Sequence, residues 1–297
     1  MLIDIKGTFK KFNLRPTKSL GQNFLTDSSI LMCIVEAAEL TKEDIVLEIG
    51  PGLGSLTAEL AVSAGIVAAV EIDRRLIPVL NQNLKGYSNV IIINSDILKL
   101  NIEEELAAIV AAGAGSFSPG ALKIVANLPY YITTPVVMML LESAIKAKTM
   151  VFMVQKEVAD RMMAKPGGKE YGALSVAVQY YSRPSVVIEV PPSSFIPRPD
   201  VDSTVIKLDI YDKPPVDLVN QNLFFRVVKA AFGQRRKTLL NALFNAGCFN
   251  LNKEQIREVL VKTGIGENQR GETLSIPEFA QLSNFIFEKL NRDMQKC

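Results

Sequence analysis

One ten-residue stretch, IVLEIGPGLG at positions 45–54, decides the fold. Its first half is an apolar run with one acidic residue, which predicts a short buried strand ending at Ile49. Its second half is glycine-rich, and the run 55–64 behind it predicts a helix. A glycine-rich turn between strand and helix lets a ligand lie against bare backbone at the helix N-terminus. The stretch therefore predicts an α/β sheet with a ligand site at the carboxyl ends of its strands.

Two further predicted strands end in acidic side chains. The run 66–70 is followed by Glu71, and the run 90–94 is followed by Ser95 and Asp96. A carboxylate at Glu71 can accept both ribose hydroxyls of an adenosine, and Asp96 is placed to accept a hydrogen bond from an adenine amine. Either residue alone is more often a solvated strand end, but three successive strand ends of this kind favour an adenosine cofactor. A nicotinamide dinucleotide stays an alternative, because the glycine spacing does not exclude it.

A fourth predicted strand, residues 122–126, is followed by Asn127, Leu128, Pro129 and Tyr130. The side-chain oxygen of Asn127 and a backbone carbonyl beside it can accept the N–H groups of an exocyclic base amine. These contacts localise the nitrogen lone pair toward an incoming methyl group. Tyr130 can stack on the base. The grouping therefore indicates methylation of the exocyclic amine of a flipped-out nucleobase.

Composition excludes several classes of mechanism. The 297 residues contain no histidine, which excludes Ser–His and Cys–His catalysis and disfavours a transition-metal site, so we expect no metal. The three cysteines form no CxxC pair, which predicts neither a disulfide framework nor a zinc site. No apolar stretch approaches the ~18 residues of a membrane span, and the N-terminus lacks a secretory segment, so we expect no membrane association and a cytoplasmic protein.

Positive charge is concentrated at the two ends of the chain. The whole chain carries a net +2, but residues 1–25 carry +4, residues 213–297 carry +5 and residues 26–212 carry −7. This asymmetry predicts that the ends grip a nucleic acid backbone. The triplet Arg235, Arg236 and Lys237 is one candidate contact, although such a triplet is often only a solvated helix face.

The pattern of elements changes along the chain. Up to about residue 210, short apolar strands alternate with helices, which predicts a mostly parallel sheet with strands 185–190 and 201–210 as an antiparallel edge hairpin. The segment 107–120, rich in small residues, is expected to be a loose surface insertion. Beyond a Pro-rich linker only helices are predicted. We therefore expect two domains, residues 1–212 and a small all-α domain over residues 213–297.

Six segments, in order and spanning nearly the whole chain, resemble the ribosomal RNA adenine N6-dimethyltransferase family. They are LGQNFL at 20–25, EIGPGLG at 48–54, EID at 71–73, NSD at 94–96, NLPYYITTP at 127–135 and FIPRPDVDS at 195–203. The resemblance implies a Rossmann-like class I methyltransferase fold with S-adenosylmethionine as cofactor. It assigns cofactor binding to Asn23, Leu25, Gly50, Glu71, Asp96 and Asn127. It assigns catalysis and base binding to Asn127, Leu128, Pro129, Tyr130 and Phe195.

Phe195 has two interpretations. A lone Phe in a Pro-rich loop is usually an anchor packed on the core. The resemblance instead implies that it stacks on the target base opposite Tyr130, and we favour that role. Tyr131 and Asp202 are expected to pack or hydrogen-bond locally.

The resemblance implies dimethylation of two adjacent adenosines near the 3′ end of 16S ribosomal RNA in a pre-30S particle. The C-terminal domain is expected to bind RNA, and a monomer is the default expectation.

Three alternatives remain. Erythromycin-resistance methyltransferases share the site but modify large-subunit RNA, and their counterpart of residues 131–135 usually lacks the Thr-Pro ending. A DNA adenine methyltransferase is disfavoured because many carry Asp at the position of Asn127. A non-catalytic ribosome-assembly or transcription factor is disfavoured by the intact row from Gly50 to Asp96.

Overall fold

A computed structural model describes residues 3–17, 20–111, 122–143 and 145–294. The chain divides into two compact units. Unit 1 comprises residues 1–159 and 183–210, and unit 2 comprises residues 160–182 and 211–297. Unit 2 thus includes residues 160–182, which the predicted boundary at residue 212 assigns to the first domain. The functional division into residues 1–212 and 213–297 stays a prediction.

Nine strands are present in the described residues. Their bounds are β1 (Phe24–Leu25), β2 (Ile45–Ile49), β3 (Ile66–Glu71), β4 (Val90–Asn94), β5 (Leu122–Asn127), β6 (Ala147–Gln155), β7 (Ser182–Val190), β8 (Phe195–Ile196) and β9 (Ser203–Ile210). Twelve α-helices accompany them there. Their bounds are α1 (Ile5–Lys11), α2 (Ser28–Ala37), α3 (Ser55–Ser63), α4 (Ile77–Asn83), α5 (Ile102–Ile109), α6 (Thr133–Glu142), α7 (Lys156–Met163), α8 (Ala173–Tyr181), α9 (Gln221–Gly233), α10 (Leu239–Ala246), α11 (Lys253–Lys262) and α12 (Ile276–Met294).

The main sheet has seven strands in the order β4-β3-β2-β5-β6-β9-β7. The first five strands in this order, β4, β3, β2, β5 and β6, run parallel to one another. Strand β9 pairs antiparallel with β6, and β7 completes this antiparallel edge. This confirms the predicted mostly parallel sheet with an antiparallel edge hairpin. Every residue of β2 and β3 is buried, as expected for central strands that are covered on both faces.

Register aligns the ends of the strands that carry the predicted site. Ile49 lies opposite Val70 in β3 and opposite Ala126 in β5. The glycine turn, Glu71 and Asn127 therefore leave neighbouring strands at the same edge of the sheet. The expectation from the sequence is met because parallel strands present their carboxyl ends together.

A second sheet of two short strands joins distant parts of unit 1. Leu25 of β1 pairs antiparallel with Phe195 of β8, and Thr26 N donates to Ser194 O at 2.8 Å. Two-residue strands leave no periodic pattern, so the sequence did not predict this pairing. Helix α5 extends to Ile109, so the start of the expected insertion is helical, and residues 112–120 lie outside the described residues.

Unit 2 has its own apolar core. Helices α9 to α12 bury residues such as Phe224, Leu243, Leu260 and Phe279, and Tyr171 from the preceding segment is buried with them. The Tyr171 hydroxyl donates to Leu274 O at 2.9 Å, which satisfies the polar atom of this buried ring. Beyond Asp212, the described residues form helices and turns but no strand, as the sequence predicts.

Candidate active site

A pocket of about 260 Å³ lies in unit 1 at the carboxyl ends of β2 to β5. All six residues predicted to bind the cofactor line it, namely Asn23, Leu25, Gly50, Glu71, Asp96 and Asn127. Leu128, Pro129 and Tyr130 line it as well. Side chains that lie far apart in sequence are thus brought to one cavity by the sheet register.

The glycine turn places bare backbone along one wall of the pocket. Gly50 has φ 74° and Gly52 has φ 60°, in the left-handed region that side-chain-bearing residues rarely adopt. A Cβ at Gly50 would lie 3.6 Å from Asn127 O, and one at Gly52 would lie 3.2 Å from the Phe24 ring. The left-handed φ therefore favours glycine at both positions, and at Gly52 a side chain would also press on the Phe24 ring.

Glu71 presents a fixed, buried carboxylate to the pocket. It is 4% exposed, and its two oxygens accept hydrogen bonds from Asp73 N at 2.8 Å and Gly52 N at 3.2 Å. Burial raises the pKa of Glu71 to about 7, although these backbone donors partly oppose the rise. Each oxygen keeps a further lone pair, so the carboxylate can accept two hydroxyl groups.

A second buried carboxylate, Glu48, also lines this pocket. It is 1% exposed, and its Oε2 has no hydrogen-bond partner among the described residues. Burial raises its pKa to about 8, the nearby Thr57 hydroxyl opposes the rise, and the charge of Glu71 adds to it. Thr57 Oγ1 also lacks a partner of full hydrogen-bond geometry in the described part of the chain, so we regard its effect on Glu48 as weak. Sequence reasoning missed Glu48, although an acidic residue inside an apolar strand was the available signal.

Asn127 is oriented by the N-terminal segment. Its Nδ2 donates to Asn23 O at 3.2 Å, and Asn23 Nδ2 donates to Gly21 O at 3.3 Å. An amide whose nitrogen faces a carbonyl presents its oxygen on the other side. The contact therefore leaves Asn127 Oδ1 as an acceptor for the pocket.

The N-terminal wall is tied to the loop after β3. Gln22 Nε2 donates to Asp73 Oδ2 at 2.9 Å, and Gln22 Oε1 accepts from Thr17 N at 2.8 Å. Arg75 binds the same carboxylate at 2.6 Å, and its hydrogen bond holds the pKa of Asp73 below its ordinary value. These contacts hold Asn23 and Leu25 at the pocket.

Tyr130 occupies a single 3-10 turn directly after Pro129 and is half-buried. Its hydroxyl lies 2.7 Å from Ser203 Oγ at the start of β9. Burial raises the pKa of the Tyr130 phenol, and the Ser203 hydroxyl opposes that rise, so the phenol stays neutral at physiological pH. Ser203 ends the segment FIPRPDVDS, but its local sequence does not indicate a contact with Tyr130.

Asp96 is partly exposed at the far end of the pocket. Its Oδ1 accepts from Leu98 N at 3.1 Å, and Lys99 Nζ lies 3.7 Å from its Oδ2. The carboxylate therefore caps its own loop while still facing the cavity.

Phe195 lies in the core and does not line the pocket. It is 3% exposed and packs in an apolar cluster with Leu25, Leu31 and Val205. This position matches the anchor interpretation rather than the favoured stacking interpretation, because β8 holds Phe195 against β1. A stacking role would require the side chain to leave this cluster, and it stays a prediction.

Tyr131 meets the expectation of local packing in part, because its ring lies beside Gly21, where an added Cβ would be 3.5 Å from it. It lines the pocket and is 54% exposed. Asp202 meets the expectation through its backbone, since Asp202 O accepts from Lys156 N at 3.0 Å.

In unit 2, the basic triplet divides into two kinds of residue. Arg235 Nη2 donates to Lys169 O at 2.7 Å and Tyr171 O at 3.0 Å, and it lies 3.6 Å from Glu272. Arg236 and Lys237 are exposed. Arg235 therefore holds the segment before α8, while its two neighbours face solvent.

No helix among the described residues has both the length and the apolar character that crossing a membrane requires. No cluster of three or more His, Cys, Asp or Glu side chains within those residues is arranged to hold a metal ion.

Comparison with known proteins identifies relatives of the whole chain. Residues 13–288 match the family described as "Ribosomal RNA adenine dimethylase". The "Ribosomal RNA small subunit methyltransferase A" of Alkaliphilus oremlandii is 50% identical over 285 residues, 96% of each chain. A dimethyladenosine transferase structure from Plasmodium falciparum has a TM-score of 0.74 at 28% identity, covering 90% of this chain and 98% of that one. The structure of the 23S rRNA methyltransferase ErmE has a TM-score of 0.64 at 26% identity, covering 91% and 100%. The chain therefore belongs to the ribosomal RNA adenine dimethylase family.

Proposed function

We propose that this chain transfers methyl groups from S-adenosylmethionine to N6 of two adjacent adenosines near the 3′ end of 16S ribosomal RNA, two methyls on each. The observation that carries the proposal is the meeting of Asn127 and Tyr130 with Glu71 and Asp96 in one pocket. The choice of small-subunit RNA is supported by the name of the relative that is 50% identical over 96% of each chain.

The residues of the pocket fit the cofactor. Glu71 would hold the ribose hydroxyls and Asp96 the adenine amine, while Asn23 and Leu25 form the N-terminal wall. Gly50 would let the amino-acid end of the cofactor lie against the protein backbone. This end would then be next to the start of α3, where no side chain caps the first N–H groups. S-adenosylmethionine, when bound, supplies a methyl group on a positively charged sulfur.

Asn127 is the residue that acts on the target amine. Its Oδ1 accepts an N–H of the adenine amine, and the Leu128 carbonyl is the neighbouring backbone candidate, because Pro129 O already accepts from Ile132 N and Thr133 Oγ1. Both acceptors strengthen as the nitrogen gains positive charge in the transition state. The proton then leaves the nitrogen to water, which needs no histidine.

Tyr130 holds the base that Asn127 acts on. A half-buried ring at the pocket offers a face on which a flipped adenine can stack, a contact that contributes about 1–3 kcal/mol. The basic ends of the chain would hold the RNA backbone around that base, with Arg236 and Lys237 exposed for this role. We further propose that the substrate is a pre-30S particle, that the protein acts as a monomer and that it works in the cytoplasm.

Large-subunit methylation is the second candidate. The ErmE structure matches the fold over most of the chain, but at 26% identity. The Thr133-Thr134-Pro135 ending favours the small-subunit enzyme. A non-catalytic assembly role is disfavoured because the whole cofactor row is intact.

Methyl transfer from labelled S-adenosylmethionine to purified unmethylated small subunits, large subunits and duplex DNA tests the proposal. We expect label in the small subunit, located by mass spectrometry as dimethyladenosine at two neighbouring positions. Label in large subunits alone would support the second candidate, and label in none of the three would contradict catalysis.

A further inference from the structure

Segment 195–203 forms a hydrogen bond with a side chain of the proposed active site through its last residue. Phe195 is buried behind the pocket-lining Leu25, whereas Ser203 Oγ lies 2.7 Å from the Tyr130 hydroxyl. We propose that Ser203 is a positioning residue, whose hydroxyl tethers the far end of the Tyr130 ring and so holds the ring in the position where it stacks on the target adenine. The inference rests on the proposed function of Tyr130.

Ser203 is itself held rigidly. It is 0% exposed and begins β9, where it lies opposite Gln155 at the end of β6. The next contact along the chain, from Lys156 N to Asp202 O, closes the end of this strand pair. Paired strands thus fix the backbone that carries this hydroxyl, and burial leaves the side chain little room to move.

Tyr130 needs such a fixed partner because its backbone contacts do not fix its ring. Pro129 O accepts from Ile132 N at 3.1 Å and from Thr133 Oγ1 at 3.2 Å, which holds the turn. Neither contact restricts rotation about the side-chain bonds of Tyr130. Among the described residues, Ser203 is the partner of its hydroxyl. A tether at the far end of the ring limits rotation about the Cα–Cβ bond, and that rotation decides where the ring lies.

The tether and the stacking face can be separated by mutation. Tyr130→Phe keeps the ring face and removes the hydroxyl, whereas Ser203→Ala keeps the complete tyrosine and removes its partner. If the hydroxyl acts only through Ser203, either change releases the same ring. The two changes together should then cost no more activity than one.

The experiment is a double-mutant cycle on methyl transfer. Single-turnover rates and RNA affinity are measured for the wild type, Ser203→Ala, Tyr130→Phe and the double variant, well below their melting temperatures. We expect each single variant to lower the rate at saturating RNA by roughly 2- to 10-fold, the range of one neutral hydrogen bond, with no further loss in the double variant.

Ser182→Ala is the matched control, because Ser182 is also fully buried and its hydroxyl donates to Val178 O at 2.8 Å, away from the pocket. It should lower the melting temperature without changing the rate.

Two results would overturn the tether. One is a Ser203→Ala rate within twofold of the wild type, and the other is a loss in the double variant equal to the product of the single losses. The cycle is run on whichever RNA the wild type methylates, so an unexpected substrate contradicts the proposed function and still tests the tether. A wild-type protein that methylates no RNA contradicts both.

Discussion

Cofactor affinity should rise with pH between 6 and 8 because Glu71 must ionise to hold the ribose. Burial raises its pKa to about 7, well above the ordinary carboxyl value of 4.5. A group with that pKa is about one tenth ionised at pH 6 and about nine tenths ionised at pH 8. If only the carboxylate accepts both hydroxyls, the association constant should rise roughly tenfold across this range.

Calorimetric titration with S-adenosylhomocysteine, which the enzyme does not consume, measures the effect. Glu71→Gln is the matched control, since the amide keeps the shape and an acceptor oxygen but does not titrate. The ligand's own amino group titrates in a neighbouring range, with a pKa of about 7.7–8.0 for an α-amine, and cancels in the ratio of the two proteins. That ratio should therefore carry the pH dependence that Glu71 confers, including its effect on the pKa of the neighbouring Glu48.

Glu48 shares the pocket and has a pKa raised to about 8, so the two carboxyls lose protons as a coupled pair. Glu71 has the lower pKa of the two, so it ionises while Glu48 is still protonated, and its charge then raises the pKa of Glu48. Glu48→Gln should therefore leave the midpoint of the affinity curve near pH 7. The reasoning is refuted if wild-type affinity is flat from pH 6 to 8, or if Glu71→Gln keeps the same slope.

Three further predictions concern stability and RNA binding. Glu48 and Glu71 both have a higher pKa in the folded chain than in the unfolded chain, so the folded chain binds more protons. The free energy of unfolding should therefore fall as pH rises from about 4.5 to 8. Thermal melts should show a smaller fall in Glu48→Gln. Arg236→Ala combined with Lys237→Ala should reduce the log–log salt slope of subunit binding by about 0.7–0.9 per lost phosphate contact. Arg235→Ala should also lower the melting temperature, because Arg235 donates hydrogen bonds to two backbone carbonyls. An unchanged slope would mean that the triplet is only a solvated face. Lys123→Met should cost about 3–5 kcal/mol in urea denaturation, because its ammonium lies 3.1 Å from a buried Asp44 carboxylate; a loss below 1 kcal/mol would contradict this.

The central sheet could be predicted because local pattern and tertiary environment agree there. Residues 45–49 and 90–94 are apolar, β-branched runs bounded by turns, and their predicted ends coincide with β2 and β4. Glycines and polar residues at those ends indicated the pocket, because parallel strands bring their carboxyl ends to one edge. Beyond the linker the predicted helices are present, and the structure shows that α11, residues 253–262, begins at a cap formed by Asn252.

What could not be predicted depends on contacts between distant segments. The pairing of Leu25 with Phe195 joins residues 170 positions apart through strands too short to show a period. That pairing buries Phe195, which sequence reasoning had favoured as a stacking residue. The contact from Ser203 to Tyr130 follows from the β6–β9 register, which no local pattern encodes.

Asn127→Ala, measured in a single turnover with saturating subunit and cofactor, tests the central claim most directly. Asn127 Oδ1 is asked to act mainly in the transition state, so its loss should lower the rate by about 10²–10³, or 2.7–4 kcal/mol, while cofactor and RNA remain bound. Tyr130→Ala is the comparison, because it should weaken RNA binding through lost stacking. A near-wild-type rate for Asn127→Ala would contradict the assignment, and the chain would then be better described as an RNA-binding factor that keeps a methyltransferase fold.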